Sequence, residues 1–169
     1  MIGIWIIRRP KITSGGNMLF DVLKWLHVLA AVTAVGANIT YGVWIRRASR
    51  TPETLLFTLQ GIRAIDDRLA NPGFGALLIT GVLMLLVLRL PLTTPWVVVA
   101  LVLYFVMGAV AFRGFTPTLR DLIRILESEG FDSPRYQAVA RRGMTLGITL
   151  LVIAAVIIFL MVVRPPLWG

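Results

Sequence analysis

Residues 143–163 read GMTLGITLLVIAAVIIFLMVV, 21 residues without a single Asp, Glu, Lys or Arg. At 1.5 Å per residue, a helix of that length is about 30 Å long, the thickness of a bilayer's hydrocarbon core. Lipid offers a backbone no hydrogen-bond partner, so such a run must pair its own amides, and a helix does this. Three more charge-free runs lie upstream, at 25–45, 69–88 and 90–112, of 21, 20 and 23 residues. Buried helices of water-soluble proteins are shorter and carry a charged stripe. The pattern predicts an all-α polytopic protein, a four-transmembrane-helix bundle. Its spans fall at about 22–45, 69–88, 94–112 and 143–163, with short amphipathic connecting helices.

The whole composition agrees. The 169 residues are 57% hydrophobic and 15% charged, against about one-quarter charged in a soluble domain. One domain of this length cannot hide so much apolar surface from water. A net charge of +9 would suit nucleic acid if it formed one patch. Here the arginines cluster between the apolar runs, where they set orientation and meet anionic headgroups, so the partner is the lipid bilayer and not nucleic acid. The absence of cysteine removes disulfides, thiolate metal sites and thiol catalysis. Phosphate-binding loops, hydrolase triads and zinc motifs are missing too, so the sequence leans away from an enzyme and gives no catalytic residue and no metal site.

Punctuation between the runs sharpens the outline. Thr94–Pro95, Thr116–Pro117 and Ser133–Pro134 read as an N-cap followed by a first-turn proline. Gly130 ends the helix that starts at Pro117. Only Arg89 separates the second and third runs, so these two form an antiparallel hairpin. In the first long connection Leu55, Leu59, Ile62, Ile65 and Leu69 make one helical stripe. Asp66 falls within it, and its simplest reading is an end-of-helix acid beside Arg63 and Arg68; the other is a functional carboxylate.

Eleven arginines sit in the connections 46–68 and 113–142, and six basic residues on the other side. Positive residues stay cytoplasmic, so both termini should lie outside. Residues 1–17 hold no spanning run. They read as a tail, with Met18 a candidate for the true start, and residues 18–169 as the transmembrane domain.

Few side chains in the spans can carry chemistry. His27 is the only histidine. On a helix it shares a face with Ala31, Ala34, Asn38 and Tyr41, and Lys24 lies one turn before it. Small residues let helices approach, and Asn38 can hydrogen-bond across an interface. His27, Lys24, Asn38 and Tyr41 are therefore the candidate cofactor-binding set. The alternative is a packing histidine bonded to a neighbouring carbonyl, which the lack of a second ligand favours. Ala31, Ala34, Gly81, Gly108, Gly143 and Gly147 read as helix-packing positions. The scattered methionines read as gap fillers rather than copper ligands.

The order Lys24-Trp25-Leu26-His27, then Tyr41-Gly42-Val43-Trp44-Ile45-Arg46-Arg47, then Asp67-Arg68-Leu69-Ala70-Asn71-Pro72-Gly73, and finally Val162-Val163-Arg164-Pro165 resembles a family of small bacterial integral membrane proteins known only as a domain of unknown function. More distantly it is similar to the HemJ type of protoporphyrinogen oxidase and to the membrane domain of the copper-resistance protein CopD. The likeness covers most of residues 20–166 and implies a bacterial inner (plasma) membrane location. HemJ-type enzymes hold b-type haem between histidines on the first and third helices. His27 matches the first, but the third run of this chain has no histidine, which counts against the oxidase activity. Haem b with His27 as an axial ligand is thus the alternative. The favoured reading is a non-catalytic membrane component or accessory subunit of a larger complex, whose partners are other membrane subunits or further copies of the chain.

Overall fold

The computed structural model of the protein describes residues 18–167; the expectation of a tail at 1–17 lies outside them. Helix α1 runs Met18–Ala48, with Asp21 in its first turn and Arg46 and Arg47 in its last, each charge opposing the helix dipole. Helix α2 is Pro52–Ile65. A π turn at Asp66–Ala70 joins it without a break to α3, Asn71–Leu88. Arg89 takes the left-handed conformation (φ 52°) and stops α3. The amide of Thr94 donates to the Pro91 carbonyl at 3.0 Å and closes the turn into α4, Pro95–Val110. A second π turn, Ala111–Phe115, carries α4 into α5, Thr116–Glu129. Gly130 (φ 82°) ends α5. Helix α6 is Pro134–Val163, capped by the Ser133 hydroxyl, which accepts from the Arg135 amide at 3.2 Å. Four long apolar helices result, Met18–Ala48, Pro52–Leu88, Pro95–Glu129 and Pro134–Val163, each able to cross a membrane.

Thr116–Pro117 does not restart a helix, as its sequence suggests, and Thr94 does not cap with its side chain, which donates to Pro91 instead. Pro117 has no N–H for the carbonyl one turn back, and its ring crowds that carbonyl. The π turn placed directly before it adds a residue to the turn and relieves the clash, so the helix passes through. Pro72 sits in the same relation to the first π turn. Both turns lie where the charge-free runs meet the arginine-rich connections.

Packing pairs α1 with α3 and α4 with α6, with a narrower contact between α1 and α6. Helices α3 and α4, although joined by the short turn 89–94, hardly touch. At the arginine-rich end α2 lies against α5, and α5 against α6. The core sits at that end. Leu55 and Leu59 are fully buried, packed in one cluster with Leu119, Leu122, Ile125 and Tyr136. The reason is solvent. The spans can leave Val28, Val32, Val43 and Ile148 facing outward because lipid is as apolar as they are. The connecting helices carry charged residues beside their apolar stripes, and those stripes are buried against one another. At the opposite end the Arg164 guanidinium stacks 5.3 Å over the Trp96 ring, tying the close of α6 to the start of α4.

Candidate functional site

The structure separates the residues that one helical face had grouped. His27 lies near the start of α1. Tyr41 is 14 residues further on, about 21 Å along the axis, at the arginine-rich end. Asn38 donates to the Ala34 carbonyl of its own helix at 2.9 Å and not to a neighbour. Lys24 is exposed. Ala34 is fully buried, and Gly73 of α3 faces it with room for a methyl group at 3.5 Å; Ala31 is half-buried. Gly143 lies against Thr118 and Leu122, Gly147 near Phe115, and Gly108 faces open space.

His27 Nδ1 stands 2.9 Å from the hydroxyl of Thr80 on α3. That hydroxyl is 2.6 Å from the Ala76 carbonyl, to which it donates. A hydroxyl has one proton. With that proton on Ala76, His27 must donate from Nδ1, which fixes the tautomer and leaves the lone pair on Nε2. The ring edge rests on Gly81, where an added Cβ would come within 3.2 Å of Cε1. Thr80 is the only hydroxyl in the run 69–88, and that isolation was its sequence signal.

A second polar group forms where the two π turns face each other. Asp66 is only 4% exposed. Its Oδ2 accepts from the Thr116 hydroxyl at 3.1 Å and from the Asn71 amide at 3.4 Å. Asn71 and Thr116 are the residues just before Pro72 and Pro117, so each proline site contributes one donor to the same carboxylate. The expected pairing of Asp66 with Arg63 is made by Asp67 instead, at 3.6 Å, with Arg120 at 3.9 Å on its other oxygen. The buried stripe runs Leu55, Leu59, Ile62, Asp66, Ala70, in ordinary helical steps of three and four residues, which turns Asp66 inward and leaves Asp67, Ile65 and Leu69 exposed. Burial pushes the Asp66 carboxyl above the usual carboxylate range, the Thr116 bond pulls against that, and Asp67 pushes it further up. The Tyr41 hydroxyl is buried beside this end with no hydrogen-bond partner among the described residues. Its ring stacks on Phe115 at 6.4 Å.

Between α3 and α4 lies a cleft of about 530 Å³. Phe74, Gly75 and Leu78 form one wall, with Phe105, Gly108 and Phe112 on the other. The Tyr104 hydroxyl donates across it to the Phe74 carbonyl. Asn71 and Arg113 stand at its arginine-rich end. Nothing in the sequence announced this space, because glycine spacing reads alike for a contact and for a gap. Among the described residues no three of His, Cys, Asp or Glu come together as a metal site would require.

A family model described as a predicted integral membrane protein (DUF2269) matches residues 21–165. No curated protein and no solved structure matches the chain.

Proposed function

The chain belongs to this family of predicted integral membrane proteins, and on that premise we propose that it is a non-catalytic membrane component, an accessory subunit of a larger membrane complex. The observation that supports this most is the relay from His27 to Thr80 to the Ala76 carbonyl. The one imidazole in the spans is used to fasten α1 to α3. Tyr104 of α4 is likewise turned onto the Phe74 carbonyl of α3. Polar groups placed in this way hold a bundle together. Extraction in mild detergent followed by native electrophoresis tests the reading. We expect the chain in an assembly well above its own 18.7 kDa, with a different membrane protein in fixed ratio. Migration as a single chain, or as copies of itself alone, would contradict it.

A second reading rests on the same hydrogen bond. An imidazole that donates from Nδ1 offers Nε2 to a metal, and ligand histidines are commonly held in this way. On that reading His27 is an axial ligand of haem b.

We read the membrane as the bacterial plasma membrane, with both termini outside and connections 46–68 and 113–142 cytoplasmic. The support is the excess of arginine at the end built by α2 and α5. A cysteine in place of exposed Thr51 should react with an impermeant maleimide only after the cells are permeabilised. Labelling in intact cells would reverse the orientation.

A further inference from the structure

We propose that the cleft between α3 and α4 is a binding site for an anionic phospholipid of the surrounding bilayer, with an acyl chain in the cleft and the phosphate on Arg113. This holds whether or not the chain serves in a larger complex. The volume of about 530 Å³ is that of a ligand pocket, roughly 300–1,000 Å³. Two glycines keep it open. Gly75 on α3 and Gly108 on the facing wall both line it, and a Cβ added at either meets nothing within 4 Å. Glycine in a membrane bundle ordinarily lets helices touch; at these two positions it leaves room. The rim residues Phe105 and Phe112 are exposed, so the cleft opens sideways into lipid, and an occupant drawn from the bilayer need not cross water.

Charge selects the headgroup. Apart from the Tyr104 hydroxyl, which is bonded to the Phe74 carbonyl, the walls are apolar along the span, and charge appears at the end carrying Asn71 and Arg113. Arg63 and Arg120 share Asp67, Arg124 has Asp121, and Arg135 has Glu129. Arg113 is exposed and has no carboxylate within 4 Å among the described residues. It stands in the π turn where the charge-free run ends, the depth at which a phosphate sits when its chain lies in the hydrocarbon. The planar guanidinium suits bidentate contact with phosphate oxygens. The nearby Asp66 carboxylate is enclosed by Thr116 and Asn71 and does not present itself to the cleft.

The test reconstitutes the full chain in vesicles of equal phosphatidylethanolamine and phosphatidylglycerol, extracts it gently, and counts bound phospholipid by native mass spectrometry. The wild type should retain phosphatidylglycerol in preference. Gly108→Leu fills the cleft and should lower retention about tenfold; Gly75→Leu does the same from the opposite wall. Arg113→Gln should keep a lipid but lose the anionic preference, about fivefold for one arginine at a lipid surface. Arg142→Gln, an exposed arginine that does not line the cleft, should change neither. Retention unaltered in both leucine variants would overturn the proposal. So would an equal loss in Arg142→Gln, the result expected of lipid merely coating the basic end.

Discussion

Asp66→Ala should destabilise the protein by about 1–3 kcal/mol, the cost of leaving buried donors without an acceptor, whereas Asp66→Asn should keep most of the stability at neutral pH. The Ala variant strips the Thr116 hydroxyl and the Asn71 amide of their shared oxygen. The Asn variant still offers an amide oxygen to both. The two π turns meet at this carboxylate, so its loss loosens α3 from α5 and not one helix alone. The pH dependence has a definite sign. Burial, first among the causes, raises the folded-state pKa of Asp66, so the folded protein holds that proton to higher pH than the unfolded chain does. The stability linked to the proton is fully present below the unfolded value of about 3.8, and it is lost as pH rises through the folded one. Unfolding in detergent should therefore show the wild type growing more stable as pH falls from neutral toward that window. Asp66→Asn should lack that slope. An Asn variant as unstable as the Ala variant, or one with the wild-type slope, would remove Asp66 from the role given to it. The ion pairs that Asp67 makes with Arg63 and Arg120 remain in both variants.

The four membrane helices were legible because absence of charge over about 20 residues is a constraint that lipid imposes on every residue of a span. The amphipathic connecting helices were legible from Leu55, Leu59 and Ile62, whose spacing matches the buried stripe. Beyond Ile62 the stripe includes Asp66, as the spacing had it, but continues to Ala70 and leaves Ile65 and Leu69 outside. Pro72 and Pro117 are ordinary helix-start signals, and only the structure shows each absorbed by a π turn that keeps the helix whole. The short turn 89–94 guarantees that α3 and α4 run antiparallel, but turn length does not decide whether neighbours touch. The pairing of α3 with α1 does decide it, through Ala34 and Gly73, and that contact joins segments far apart in sequence. The face of α1 carries a line of small and polar residues. Its residues are spread over some 20 Å of helix, so His27 and Tyr41 belong to opposite ends of the span.

His27 carries the second large expectation. Its Nδ1 proton goes to Thr80, and glutamine can donate in its place. His27→Gln should therefore retain most of the wild-type stability, while His27→Ala should lose about 0.6–2 kcal/mol, the measured range for hydrogen bonds between membrane helices. An iron ligand would behave otherwise, because glutamine cannot replace imidazole in that role and both variants would lose the cofactor outright. The measurement that separates these most directly is the absorption spectrum of the protein purified in mild detergent from its native membranes. We expect no Soret band and no spectral change in His27→Gln. A Soret band in the wild type that vanishes in both His27→Gln and His27→Ala would make His27 a haem ligand and contradict the non-catalytic reading.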